Sequence, residues 1–165
     1  NPDFNLGFRN NLSWKGFNLG FLLTARIGGE VMSATQAILD KYGVSEASAI
    51  ARDNGGVTVN FGKLDPQYFY EYIGGGDTGM LSNYVYSATN VRLQELTLGY
   101  NLPKKWFNDK LNMTVSLIGR NLWMIYNKAP FDPESIAFTG TYFQGLDYFM
   151  QPSLRNVGFS VRMQF

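Results

Sequence analysis

The chain ends in Asn156-Val157-Gly158-Phe159-Ser160-Val161-Arg162-Met163-Gln164-Phe165, which alternates between apolar and polar or small side chains up to the last residue. A period of two predicts a β-strand with one apolar and one wet face. A C-terminal strand of about ten residues that carries an arginine on its polar face and ends in an aromatic is typical of the closing strand of an outer-membrane barrel. The pattern therefore predicts an all-β chain in contact with lipid.

Composition limits the functions that are open to the chain. Its 165 residues carry a net charge of +1 without a basic patch, so nucleic acid is not an expected partner. Because cysteine and histidine are both absent, disulfides, histidine catalysis and most transition-metal sites are excluded. We therefore expect no enzyme activity, no cofactor and no metal. The sequence has no apolar run of about 18 residues, so a transmembrane helix is not expected. This criterion does not detect barrel strands, because their apolar residues alternate with polar ones.

The same alternation predicts five antiparallel strands. The first two form a hairpin around Lys15-Gly16, because glycine adopts the backbone angles that a tight turn requires. The third strand is irregular near Leu93 and Glu95, where a bulge is possible at a position that the pattern does not fix. The predicted strands cover residues 4–14, 17–27, 86–100, 112–126 and 152–165.

The connections between these strands alternate between short and long. Outer-membrane barrels have short periplasmic turns and long external loops. Residues 28–85 and 127–151 are therefore predicted to be extracellular loops, and the C-terminus to be periplasmic. The first loop has helical spacing at 32–42, and this short helix is equally consistent with docking a lid protein and with folding onto the barrel rim.

Five strands are too few for a complete barrel, because the smallest barrels have about eight. An open sheet in lipid would leave unsatisfied backbone groups at both edges. The chain also begins at Asn1 without a signal peptide, although an outer-membrane protein must be exported. We therefore expect the C-terminal part of a much larger barrel, in which strands of the same protein lie beside the first and last strands.

Several segments carry a family resemblance through their order and spacing. They are Asn1-Pro2-Asp3-Phe4, Gly7-Phe8, Trp14-Lys15-Gly16-Phe17, Val91-Arg92-Leu93-Gln94-Glu95-Leu96-Thr97-Leu98-Gly99-Tyr100-Asn101-Leu102-Pro103, Gly119-Arg120-Asn121-Leu122-Trp123, Asp132-Pro133-Glu134 and the last strand with Phe165. Together they resemble the late barrel of the SusC/RagA family, which are TonB-dependent transporters of Bacteroidetes outer membranes.

The resemblance implies a barrel of about 22 strands with an N-terminal plug and a TonB-contacting segment, neither of which lies in this chain. It implies a SusD-like surface lipoprotein as lid, membrane lipid and LPS around the wall, and import of oligosaccharides or peptides across the cell outer membrane. Which of these cargoes is carried stays open. The alternative is a soluble β-sandwich that binds carbohydrate through surface tyrosine and tryptophan.

The first long loop is rich in aromatic and acidic residues. The aromatic rings could stack on cargo or pack within the loop; they are Tyr42, Phe61, Tyr68, Phe69, Tyr70, Tyr72, Tyr84 and Tyr86. The loop contains seven acidic residues and three basic ones. Because the acidic residues lack the spacing of a calcium-binding loop, we expect them to form a solvated surface rather than a metal site. The acidic residues are Glu30, Asp40, Glu46, Asp53, Asp65, Glu71 and Asp77.

Three further groups could carry a site. Asp132 and Glu134 could form a carboxylate pair for glycoside hydrolysis, but they lie two residues apart in a proline-broken loop. Gly74-Gly75-Gly76 lacks the strand, helix and lysine of a phosphate-binding loop. The arginines on predicted lumen faces have structural pairing as their default role; they are Arg9, Arg26, Arg92, Arg120 and Arg162. No residue is assigned a catalytic, cofactor-binding or metal-binding role, and the substrate-binding residues stay unknown.

Overall fold

A computed structural model describes residues 1–75, 79–107, 111–137 and 145–164. Gly76, Asp77 and Phe165, which entered the sequence predictions, lie outside the described residues. The chain divides into two compact units. The sheet unit consists of residues 1–29, 88–132 and 152–165, and the insert unit consists of residues 30–87 and 133–151.

The described residues form ten strands and three α-helices. The strands are β1 Phe4–Trp14, β2 Phe17–Ile27, β3 Glu30–Ser33, β4 Val57–Val59, β5 Gly62–Leu64, β6 Val85–Ser87, β7 Asn90–Asn101, β8 Asn112–Asn127, β9 Leu146–Asp147 and β10 Asn156–Gln164. The helices are α1 Ala34–Lys41, α2 Glu46–Asp53 and α3 Pro66–Ile73. None of these helices combines the length and the apolar character needed to cross a bilayer.

The sheet unit is one antiparallel sheet of five strands in the order β1-β2-β7-β8-β10. The prediction of about five antiparallel strands is therefore confirmed. The hairpin of β1 and β2 turns at Lys15 and Gly16, whose φ angles of 45° and 90° suit a two-residue turn that follows the strand twist. Trp14 pairs with Phe17 directly across this turn.

The pairing shifts register where the sequence pattern is irregular. β7 contains one extra residue opposite β2, because Leu22 pairs with Glu95 whereas the next residue, Leu23, pairs with Leu93. β8 gains one residue against β7 near Asn121, whose φ of 50° lies in the left-handed region. Bulges of this kind increase the local twist and re-aim side chains. The bulge suspected near Leu93 and Glu95 is therefore confirmed and placed.

Two strand starts differ from the sequence prediction. The third long strand begins at Asn90 rather than at residue 86, because residues 85–87 form a separate strand that pairs with β3. The last strand begins at Asn156 rather than at 152. There the backbone N–H of Ser153 donates to the carboxylate of Asp132 instead of joining a ladder.

The described residues of the insert unit form three α-helices where the sequence predicted one. Each helix has eight residues, which is too short for a clear helical period in the sequence. Local capping explains their starts, because side-chain oxygens of Ser33, Ser45 and Asp65 accept backbone N–H groups of the first turns. Pro66 at the first position of α3 adds a φ angle that is already helical.

The core of the insert unit lies between α1, α3 and the segment before β6. Ala37, Ile73 and Tyr84 are its buried members. Partly buried apolar residues pack against them: Phe69, Tyr70, Leu81 and Tyr86. Within the same unit β3 pairs with β6 and, in parallel, with β9, and the Ser33 hydroxyl donates to Asp147 at 2.7 Å. These long-range contacts join the two chain segments of the insert unit.

Candidate functional site

The sheet aligns its apolar side chains into continuous rows across all five strands. One row consists of Leu12, Leu19, Leu98, Leu117 and Phe159, each paired with the next across the sheet. The row beside it consists of Trp14, Phe17, Tyr100, Val115 and Val161. One face of the sheet is therefore apolar from edge to edge, as the period of two predicted.

This apolar face is largely uncovered. Phe159 is 77% exposed, Val157 75% and Leu117 57%. Soluble monomers rarely expose contiguous apolar patches larger than a few hundred Å². A sandwich would bury these side chains against a second sheet. The face therefore requires contact with lipid or with another apolar surface.

The opposite face is polar and carries small residues. Ser13, Asn18, Gly99, Ser116 and Ser160 form one row across it. The Ser13 hydroxyl donates to Asn18 at 2.8 Å. Such hydrogen bonds between neighbouring strands pair polar groups within the face and leave it wettable.

A concavity of about 290 Å³ lies on this polar face. Gly20 and Gly99 are among its lining residues: a Cβ on Gly20 would lie 2.8 Å from Oδ1 of Asn11, and one on Gly99 would lie 2.8 Å from Oγ of Ser116. These two glycines accommodate the polar side chains of the neighbouring strands. Polar side chains such as Arg9, Asn11 and Glu95 contribute to its lining.

The five arginines that were predicted to lie on lumen faces all occupy positions on the polar face of the sheet. Their surroundings differ. Arg9 lies 3.6 Å from Glu95 at the surface. Arg92 is buried and its Nη2 donates to Oδ1 of Asp132 at 2.8 Å. The Nε atom of Arg26 is buried without a hydrogen-bond partner in the described part of the chain.

Asp132 belongs to a polar network at the start of β7 and just after the end of β8. One carboxylate oxygen accepts from Arg92, and the other accepts the backbone N–H of Ser153 at 3.1 Å. Arg92 also donates from Nε to Oδ1 of Asn90, a residue with no exposed surface. Both oxygens of the Asp132 carboxylate thus already accept hydrogen bonds from the protein itself. The geometry favours a structural role for Asp132 over a role in hydrolysis.

The aromatic residues of the insert unit fall into two groups. Tyr42, Phe61, Tyr68 and Tyr72 are exposed, whereas Phe69, Tyr70, Tyr84 and Tyr86 pack in or against the core. Burial raises the pKa of Tyr84 above its ordinary value, and the negative charge of Asp40 raises it further. Burial and then Asp40 raise the pKa values of Tyr70 and Tyr86 in the same way.

The sequence placed Asp40 among solvated acids, but the structure buries it. Its Oδ1 accepts the amide of Gln36 at 2.8 Å, four residues earlier on α1. The i, i+4 spacing could have predicted the contact with Gln36, since such residues are neighbours on a helix, but not the burial of Asp40. No group of three or more acidic, cysteine or histidine side chains that could hold a metal occurs among the described residues.

Gly74 has a packing role at the end of α3. A Cβ added there would lie 2.5 Å from the carbonyl oxygen of Ala37, so its missing side chain allows α3 to approach α1 closely. The helix predicted at 32–42 is α1, which packs on α3 within the insert unit. Gly76, the last residue of the triple glycine, lies outside the described residues.

Comparison with known proteins shows which class the chain resembles. No protein-family model matches it. TonB-dependent receptor P3 of Formosa agariphila is 28% identical over 171 residues, covering 99% of this chain and 16% of that protein. TonB-dependent receptor P39 of the same organism is 28% identical over 138 residues, covering 80% of this chain and 13% of that protein. The chain therefore spans less than a fifth of these relatives' length.

Solved structures of the RagAB peptide importer share the fold. The open–open state matches with a TM-score of 0.66 at 21% identity and covers 99% of this chain and 17% of that one. The closed–closed state matches with a TM-score of 0.63 at 22% identity over the same shares. The resemblance found in the sequence is thus confirmed: the chain is similar to TonB-dependent receptors and has the fold of an unclosed fragment of a RagA-like β-barrel.

Proposed function

We propose that the chain forms part of the wall of a TonB-dependent outer-membrane importer of oligosaccharides or peptides. The observation that carries this proposal is the exposed apolar face with its rows of side chains across five strands. Lipid is the medium in which such a face is stable without a second sheet. The similarity to TonB-dependent receptors over 99% of the chain supports the same class.

In this proposal the five long strands cross the outer membrane as the C-terminal part of a barrel. The connections at 28–85 and 127–151 lie on the cell surface and the C-terminus lies in the periplasm. β1 and β10 occupy the edges of the sheet and each has one unpaired side in the described chain. Strands of the same protein outside this chain would satisfy those backbone groups, because lipid cannot.

The proposed mechanism is gated passage without bond chemistry. A SusD-like lipoprotein captures cargo as a lid, the polar lumen holds it, and a plug moved through the TonB contact in the N-terminal part releases it. The polar face of the sheet would contribute to that lumen. Membrane lipid and LPS would surround the opposite face. Support comes from the relatives' descriptions as TonB-dependent receptors and as a peptide importer.

Spin labelling of the full-length protein tests the lipid contact. Single cysteines at Phe159 and Ser160 of an otherwise cysteine-free protein carry a nitroxide, and its accessibility to oxygen and to a water-soluble nickel complex is measured in lipid vesicles. We expect oxygen to broaden the signal at position 159 and much less at 160. Oxygen accessibility that does not alternate between the two positions, or a water-exposed label at 159, contradicts the proposal.

Uptake by living cells tests transport. Deletion of the gene should abolish growth on the cargo as sole carbon or nitrogen source, and loss of TonB should have the same effect. Growth on oligosaccharides and on peptides is compared to identify the cargo class. A deletion strain that grows normally on every oligosaccharide and peptide mixture, including those its parent uses through outer-membrane transport, contradicts an importer role.

The alternative of a soluble carbohydrate-binding sandwich predicts a different outcome. Its apolar face would pack inside the protein, so labels at 157, 159, 161 and 163 would be shielded from both oxygen and nickel. The protein would then partition into the soluble fraction after cell lysis. The described structure favours the barrel instead, because Phe159 and Val157 remain more than 70% exposed.

A further inference from the structure

The charged side chains of the five long strands are nearly all of one sign. β1, β2, β7, β8 and β10 contain five arginines and one glutamate, a net charge of +4, and no lysine or aspartate. The whole chain carries only +1, so this excess does not follow from overall composition. All six charged residues occupy register positions of the polar face. The apolar face of these strands is therefore uncharged, whereas the polar face is cationic.

The arginines lie at several levels of the polar face. Arg9 and Arg120 share one row across the sheet, with Glu95 between them. Along β1 the register places Arg26 four residues from that row, about 13 Å toward the end where β2 leaves the sheet. Along β10 Arg162 is six residues from the row, about 20 Å in the opposite direction. The cationic groups therefore extend over about 33 Å, close to the thickness of a bilayer's hydrocarbon core.

Acidic side chains of the sheet neutralise only part of this charge. Among the described residues, salt bridges are formed by the buried Arg92 and by Arg9, whose side chain is 59% exposed. The Arg9 contact is 3.6 Å long, beyond hydrogen-bonding distance. Arg26, Arg120 and Arg162 have no acidic partner within salt-bridge distance in the same part of the chain. The last two are also exposed, so their guanidinium groups are accessible from the polar side of the sheet.

The chemistry of arginine restricts which ligands such a surface favours. A guanidinium keeps its charge at every physiological pH and offers a planar fork of N–H donors that fits carboxylates and tetrahedral oxyanions. It repels cations and gains no charge-assisted hydrogen bond from a neutral ligand. Because exposed guanidinium groups are screened by water, each contact is weak. A series of weak sites of one sign allows an ion to enter and to leave, which is the requirement for passage rather than for storage.

We infer that the polar face carries an arginine track, formed by Arg9, Arg26, Arg120 and Arg162, that selects cargo bearing carboxylate or sulfate groups. The inference rests on the proposed import function, because the polar face meets cargo only if the chain belongs to an importer. The track selects the charge of the cargo and not its backbone. Glu95 lies inside the track and repels the same anions, so it lowers the affinity of the track. An acidic segment of the plug is the rival occupant, and the experiment distinguishes the two.

Titration calorimetry on the purified full-length protein measures the selectivity with probes that differ only in charge. Trigalacturonate is compared with its neutral methyl ester, and the peptide Glu-Glu-Glu with Gln-Gln-Gln and Lys-Lys-Lys. We expect at least one anionic probe to bind about tenfold more tightly than its neutral counterpart. Raising the salt concentration from about 0.02 M to about 0.5 M should abolish most of this preference, because salt screens exposed charges. The two anionic probes distinguish an acidic glycan from an acidic peptide.

Charge-removing variants assign the preference to the track. Arg120→Gln combined with Arg162→Gln removes two exposed cations and should remove most of the preference for the anionic probe, without changing the affinity for the neutral one. Lys104→Gln combined with Lys105→Gln is the matched control, because it changes the net charge equally at exposed residues between β7 and β8. Glu95→Gln should have the opposite effect and strengthen binding of the anionic probe about threefold.

Three results would overturn the inference: no binding of either anionic probe, equal affinity for charged and neutral probes, and equal losses in the two double variants. If the arginines instead hold an acidic segment of the plug, the arginine double variant would lower the thermal stability of the full-length protein and leave the preference for anions unchanged. The uptake experiment fails independently of this one. Anion preference without uptake would contradict the importer and retain an anion-binding surface, whereas uptake without a charge preference would contradict the track alone.

Discussion

Arg92 and Asp132 form an ion pair of 2.8 Å at the end of the five-stranded sheet, with side chains only 4% and 8% exposed. They lie 40 residues apart in the sequence. Removing one partner of a buried pair leaves the other charge uncompensated, which costs about 3–5 kcal/mol. The pair therefore joins the start of β7 to the segment after β8 more firmly than a surface contact could.

We expect Asp132→Asn to destabilise the folded protein by about 3 kcal/mol or more, because Arg92 would stay buried beside a neutral amide. The measurement is the temperature at which the full-length protein loses its folded gel mobility. Arg9→Met is the control, because Arg9 is 59% exposed and lies 3.6 Å from Glu95, so its loss should cost about 1 kcal/mol or less. Equal effects of the two changes would contradict a stabilising role for the buried pair.

Neighbouring positions of β10 should respond oppositely to a charge. Phe159→Arg should oppose assembly by about 2–4 kcal/mol if the side chain faces mid-bilayer lipid, whereas Ser160→Arg should be tolerated on the polar face. The yield of folded protein in outer-membrane fractions measures the difference. Comparable yields for both variants would refute the assignment of the faces.

The buried hydroxyl of Tyr84 should titrate at an unusually alkaline pH. Because burial and Asp40 raise its pKa in the folded state, Tyr84 contributes stability that is complete below about pH 10, the unfolded value, and that is lost as the pH rises through the folded pKa. Tyrosinate absorbance is measured for the parent and for Tyr84→Phe. The phenol missing from the variant should ionise above about pH 10.

Tyr68→Phe serves as the control in this titration, since Tyr68 is exposed on α3. Its missing phenol should ionise near the ordinary value of about 10. If the difference curves of the two variants coincide, Tyr84 is not buried beside Asp40 in the protein.

The bulge in β8 should tolerate glycine better than a branched residue at position 121. Asn121 has a φ of 50° and its Nδ2 donates to the carbonyl of Leu154 at 3.2 Å. Asn121→Val places a branched side chain in the left-handed region, at a cost of about 1–2 kcal/mol in addition to the lost hydrogen bond. Asn121→Gly loses only the hydrogen bond. The same heat assay compares them, and a less stable Asn121→Gly would contradict the backbone explanation.

The strands of the sheet were predictable because their signal is local. Side chains on a strand alternate between faces by covalent geometry, so the sequence shows which side of β10 carries Phe159 and which carries Ser160. The Lys15-Gly16 turn is equally local. The bulge was predictable as an irregularity near Glu95, but its position depends on how β2 and β8 pair with β7.

The insert unit was not predictable in the same way. Its helices of eight residues are too short to show a period, and their packing determines which tyrosines are buried. Tyr84 and Tyr42 look alike in the sequence, yet only the former lies in the core. A cavity beside Tyr42 exists only after three helices come together.

The sequence by itself thus determined the antiparallel strands, their apolar and polar faces and the resemblance to TonB-dependent receptors, because each depends on residues close together along the chain. Tertiary structure alone decided the partner of Arg92, the burial of Asp40 and the contact of Ser33 with Asp147 across 114 residues. The free energy of such contacts depends on which groups meet and how far water is excluded, and neither is encoded in local spacing.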